Sequence, residues 1–226
     1  MKKVTFFTVA FVVLAFTIAN AQEQETFKPM SGDFTAEVEF RPLSASPINL
    51  TYFRGRYFTT NDLAIRTGFN IYYKRQKDEP NDGQDESKQS TFLFGIYPGI
   101  EKHFGDMKRL SPYIGGELGI AFKTSKDTYT SNSGTSQLET VYKGAWSNGS
   151  ERGFFSLGLN LLVGADYYVS KKLFMGIEMG FGLQTITDSE VSIERTGYPD
   201  ETSSEKANAM EIGINFNSAI RLGYAF

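Results

Sequence analysis

Few side chains in this sequence could begin covalent chemistry. It has one histidine, His103, and no cysteine. A thiol nucleophile is therefore excluded, and only one position offers an imidazole base. Glu37 and Glu39 stand two residues apart, which puts both on one side of an extended strand and could suit paired acid–base work. Arg54 and Arg56 repeat the same interval, so salt bridging is the expected role of these acids. His103 falls next to a short turn at 105–109 and is expected to be a packed or solvated structural residue. No group of residues has metal-ligand spacing. The glycines recur at every second position rather than as G-x-G-x-x-G before a helix, so no phosphate loop is expected. Catalytic residues, cofactors and metals are accordingly not expected.

Those charges need elements to hold them, and the dominant pattern is alternation with period two. In 34–41, Phe34, Ala36, Val38 and Phe40 fall on one face and Thr35, Glu37, Glu39 and Arg41 on the other. The pattern returns at about 50–59, 62–75, 90–104, 110–123, 153–169, 173–184 and 209–226, which makes eight strands. Turns at 60–61, 105–109 and 170–172 are short, whereas the polar connections 42–49, 76–89, 124–152 and 185–208 are long. An even strand number, with short turns at one end and long loops at the other, predicts an all-β, eight-stranded, antiparallel up-and-down transmembrane barrel.

Alternation does not say which face is inside. Three features favour an apolar outside: export without disulfides, an apolar face rich in Phe and Tyr, and a polar face that mixes both charge signs with glycine. An eight-stranded barrel is just wide enough for side chains to fill. The expected lumen residues are Glu37, Glu39, Arg54, Arg56, Arg66, Lys74, Glu101, Glu117, Asp166, Glu178, Glu211 and Arg221. In so narrow a space ions must pair, since an unpaired buried charge costs several kcal/mol, and a salt-bridge plug is expected rather than a channel.

The first 21 residues are read separately. Lys2 and Lys3, an apolar run from Val4 to Ile18 and Ala19-Asn20-Ala21 form a signal peptide, leaving 22–226 as one barrel domain. The apolar run is short for a spanning helix, which needs roughly 20 residues. Without the two lysines the formal charge goes from −3 to −5, so nucleic acid is not an expected partner.

At the other end, Ile220-Arg221-Leu222-Gly223-Tyr224-Ala225-Phe226 alternates to a terminal phenylalanine. Tyr224 and Phe226 look like the signal read by the barrel-assembly machinery. Phe53-Arg54-Gly55-Arg56-Tyr57-Phe58, followed by Asn61-Asp62-Leu63-Ala64-Ile65-Arg66, resembles the second hairpin of small porin-like outer-membrane barrels of Bacteroides-type bacteria. That resemblance covers the mature chain in rhythm, and only this hairpin and the C-terminus in residue detail. It implies an OmpA/OmpX-like closed barrel, and the expected state is a monomer in the bacterial outer membrane, surrounded by its lipids. Because the last strand reaches the last residue, no peptidoglycan-binding domain is expected.

Function is expected in the long extracellular loops, since loops on a rigid scaffold commonly carry binding. Tyr129, Tyr142 and Trp146 are the candidates for contact with an extracellular ligand or host surface. The alternatives are a narrow porin for small solutes or ions and, less favoured, a lipid-modifying barrel enzyme. The exported protein should begin at Gln22, and an intact mass that retains residues 1–21 would contradict the signal-peptide assignment.

Overall fold

The computed structural model describes residues 27–40, 48–79, 85–133, 136–216 and 220–226. The expected signal peptide lies outside them, as do the connections at 41–47 and 80–84. The described strands are β1 (Phe34–Phe40), β2 (Ile48–Phe58), β3 (Leu63–Asp78), β4 (Asp85–His103), β5 (Leu110–Ser133), β6 (Ser136–Lys143), β7 (Phe154–Tyr168), β8 (Leu173–Asp188), β9 (Val191–Arg195), β10 (Glu201–Ser204), β11 (Asn208–Phe216) and β12 (Ile220–Ala225).

The wall runs β1-β2-β3-β4-β5-β7-β8, with β11 and β12 both on β8, and β12 closes back on β1 from Thr35↔Ala225 to Phe40↔Ile220. It is an eight-stranded closed barrel whose last strand is described as two segments. Phe216 pairs with Met179 and Arg221 with Gly176, so five steps on this strand cover three on β8. The surplus is two residues, an even number, and Arg221 therefore keeps facing inward with the rest of its set.

Exposure settles the orientation that alternation left open. Ile177 is 64% exposed and its neighbour Glu178 8%. Ile65, Ile71, Ile114, Leu118 and Leu161 are likewise exposed, while Arg54, Arg56, Arg66 and Arg221 are buried. A soluble sheet would bury the first set. Here the apolar belt faces lipid and the ions fill the barrel. From Leu63 to Tyr73 a tilted strand climbs roughly 25 Å, the height of such a belt.

The short turns are fixed by hydroxyls. Thr60 Oγ1 accepts from Leu63 N at 3.1 Å and Ser170 Oγ from Leu173 N at 3.2 Å, the local bonds that favour Ser and Thr in tight turns. Residues 27–33 lie along this rim. Gly32 N donates to Phe58 O at 2.8 Å, Ser31 N to Asn61 Oδ1 at 2.9 Å, and the Arg109 guanidinium sits 4.0 Å from the Phe27 ring centre.

The polar connections on the other side are more ordered than expected. β4 begins at Asp85 inside the anticipated loop 76–89, and β5 continues ten residues past 123, to Ser133. Anticipated loop 124–152 contains β6, and 185–208 contains β9 and β10. Together they extend the sheet in the order β4-β5-β6-β9-β10, with β10 at its edge. Val141, Ala145, Trp146, Val191 and Ile193 are buried in this extension. Gly144 ends β6 at φ 88, and a side chain there would collide with the Glu190 carbonyl.

Gly223 lies beneath the Phe174 ring, which occupies the place a Cβ would take. Gly223→Val should destabilise the barrel by about 1–3 kcal/mol through overpacking. The measure is a lower temperature for the heat-dependent gel shift, and an unchanged temperature would contradict this packing.

Candidate functional site

The inward face of the wall assembles its charges near the short-turn ends of the strands. The register sets Arg56 directly opposite Arg66 on β2 and β3, a like-charge pair that is unfavourable by itself. Glu101, two strands from Arg56, bridges them: Oε2 lies 3.1 Å from Arg56 Nη1 and Oε1 2.6 Å from Arg66 Nη1. Arg56 also reaches Asp166 at 2.6 Å and Glu37 at 3.0 Å. Arg66 reaches Glu178 at 2.7 Å and Glu117 at 3.1 Å.

Arg221 closes the ring across the seam, with Nη1 2.8 Å from Glu37 and Nη2 2.9 Å from Asp166. Arg54 joins through Glu178 at 3.1 Å. Arg56, Arg66, Glu101 and Asp166 have no solvent exposure. Planar guanidinium forks suit this work because each spans more than one carboxylate. Among the described residues, four arginines meet five acids in these ion pairs.

Neutral groups complete the cluster. The Tyr113 hydroxyl donates to Glu178 at 2.6 Å, and Arg56 Nε donates to Thr35 Oγ1 at 3.1 Å. Alternation already places both residues on the polar face, but nothing in the sequence ties them to a particular ion. His103 is buried, with Nε2 3.2 Å from Glu101 and Nδ1 3.0 Å from Ser111 Oγ. Its ring packs between Phe58 and Tyr113, so it lies at the short-turn edge of the ion cluster.

Glycines make room for the ions. A Cβ at Gly176 would overlap the ends of Asp166 and Arg221, and one at Gly99 would meet the Gly116 carbonyl and the Glu117 side chain. Two cavities flank the cluster. An upper one of about 150 Å³ is lined by Tyr52, Arg54, Tyr97, Glu117, Asn160 and Glu178. A lower one of about 420 Å³ is lined by Lys28, Asp62, Lys102, His103, Asp106 and Ser111.

The remaining expected residues are distributed differently. Glu39 is buried on the inner face of β1. Lys74 is corrected out of the ion cluster: its Nζ lies 4.7 Å from the Trp146 ring centre. Glu211 is corrected as well, because it is exposed. Tyr224 and Phe226 pack ring to ring at 5.2 Å, and Phe226 N donates to Phe34 O at 2.8 Å.

Among the loop candidates, Tyr129 is exposed and donates to Asp85 Oδ2 at 2.7 Å, and Tyr142 is half-buried. Trp146 is corrected: it is 6% exposed and Nε1 donates to Ser90 O at 3.2 Å, so it is an internal anchor. Asp85 stands above the apolar belt. Hydrogen bonds from Ser131 and Tyr129 hold its carboxyl below the usual range, so these contacts persist above that range and are lost as pH falls through the lowered value.

A closed barrel with lipid-facing apolar residues and a charged interior is an outer-membrane β-barrel protein of bacteria. The chain matches the OmpA-OmpF-like porin family over residues 44–184 and belongs to it. No curated protein matches it significantly. Among solved structures it is similar to Ail, the attachment invasion locus protein of Yersinia pestis (12% identity, 87% of this chain and 100% of that one, TM-score 0.35). It is similar also to OprG from Pseudomonas aeruginosa (13% identity, 89% and 99%, TM-score 0.38) and to the outer membrane protein AlkL (14% identity, 92% and 94%, TM-score 0.40).

Arg66→Met leaves Glu101, Glu117 and Glu178 short of a shared partner and should cost about 3–5 kcal/mol. Adding Glu178→Gln removes one surplus charge and should recover part of that loss. Urea titration in detergent micelles measures both, and strictly additive losses would contradict a coupled cluster.

Proposed function

We propose that this protein is a side-chain-plugged barrel whose working surface is the sheet it raises outside the membrane. The observation that carries the reading is the pair of buried ion pairs that span the lumen between opposite strands, Arg56–Asp166 from β2 to β7 and Arg66–Glu178 from β3 to β8. Moving a solute past them would require separating ions already stripped of water, which is costly in a low-dielectric interior. The extension β4-β5-β6-β9-β10 supports the surface role. Buried Val191 and Ile193 on one face of β9 and the Trp146 hydrogen bond to the Ser90 carbonyl support it as a stiff platform, and Tyr129 stands exposed on it. The reading includes an extracellular ligand or host surface as partner, no catalysis, and Tyr224 and Phe226 as the assembly signal.

A narrow porin is the second reading. The family favours it, and so do the two polar cavities above and below the cluster, which a rearrangement of the arginines would join.

Planar-bilayer recording of the refolded protein separates the two. A silent bilayer, with folding confirmed by the heat-dependent gel shift, is expected. Stable, voltage-independent steps would overturn the plug and establish the porin reading. On cells that express the protein, replacing residues 129–141 with a short turn should abolish surface binding, and unchanged binding would remove the platform role.

A further inference from the structure

The register that pairs ions inside the barrel also fixes what the wall presents outside. Up the outward face, Ile71, Phe94 and Phe122 form one row, and Tyr73, Phe92 and Thr124 the next. The row above is Arg75, Ser90, Lys126 and Lys143, and above that come Lys77, Lys88 and Thr128. Arg75 and Lys77 share the strand face of the exposed Ile71 and Tyr73. Lys88 shares that of Phe92, and Lys126 that of Phe122. Five cations thus stand in two rows directly beyond the last aromatic row of the apolar belt.

Acids answer only three of them. Lys77 pairs with Glu79 and Glu86, Lys88 with Glu86 at 2.8 Å, and Lys143 with Glu194. Arg75 and Lys126 are exposed and have no ion pair to a described residue. Both are register partners of Ser90, one strand away on either side. That separates their backbones by about 10 Å, within reach of one tetrahedral anion for two such long side chains. The row does not float: the Ser90 carbonyl is held from within by Trp146.

We propose that Arg75, Ser90 and Lys126 bind the phosphate of an outer-leaflet lipid headgroup, with Lys77, Lys88 and Lys143 around it. The chemistry is a phosphate anion met by an arginine fork, a hydroxyl and an ammonium group. Height selects a lipid as its source. The site sits where the apolar belt ends, so acyl chains from the same molecule would run down over Tyr73, Phe92, Ile71 and Phe94. Basic side chains at such an interface draw anionic lipid by about fivefold in affinity per charge.

The test is native mass spectrometry of the full protein released from phosphatidylcholine nanodiscs doped with phosphatidylglycerol. The wild type should retain phosphatidylglycerol in excess of its share. Arg75→Gln with Lys126→Gln should lower that excess by about fivefold per charge removed. The exchange Arg75→Lys with Lys126→Arg should keep it. Folding of each variant is checked by its heat-dependent gel shift, and neither side chain faces the lumen. Equal enrichment in the wild type and the glutamine variant would overturn the site. Displacement of the lipid by inorganic phosphate at the same concentration would overturn the assignment to a headgroup.

Discussion

Two buried guanidinium groups facing each other inside a barrel cannot coexist without an acid between them, and this constraint organises the molecule. Arg56 and Arg66 are set opposite by the β2–β3 register, and Glu101 takes one with each carboxylate oxygen. Glu37 and Asp166 then tie Arg56 to Arg221 across the closing seam. The cluster therefore links strands from both ends of the chain. A slip of one residue in any of them would turn its ions toward lipid and its isoleucines inward, so the ions specify register at least as much as they add stability.

Much of the remaining sequence follows from housing that cluster. Glycines such as Gly176 and Gly99 lie where a side chain would strike an ion or its backbone neighbour. The register offset from Phe216↔Met179 to Arg221↔Gly176 is even, which keeps Arg221 inward. At the short-turn mouth His103, Ser111 and Tyr113 satisfy the edge of the cluster with hydrogen bonds.

The same register continues above the membrane, where its consequences change. Inside the bilayer the outward row positions must be apolar. Above Tyr73 and Phe92 they become Arg75, Lys126 and Lys143, and the sheet goes on through β6, β9 and β10. That passage from aromatic to basic side chains explains why the sequence signal for β5 fades near residue 123 although the strand continues to Ser133. Period-two hydrophobicity reports lipid contact, and these residues are strand without lipid. Hydrogen bonding to β4 and β6 keeps them extended, and neither partnership is visible in the composition of a stretch rich in Ser, Thr and Asn.

By itself the sequence determined the eight-strand rhythm, the alternation of long and short connections, and the partition of each strand into a charged face and an apolar one. These are local properties, set by side-chain direction at every second residue. Only the tertiary structure decided which acid answers which arginine, because those pairs cross a lumen whose geometry exists once β12 has met β1. It also moved Trp146 from a presumed loop surface to the interior, set Lys74 against its ring, and left Glu211 exposed. Each of those positions lies at or above the end of the apolar belt. There lipid no longer dictates which way a side chain must point, and neighbouring strands decide instead.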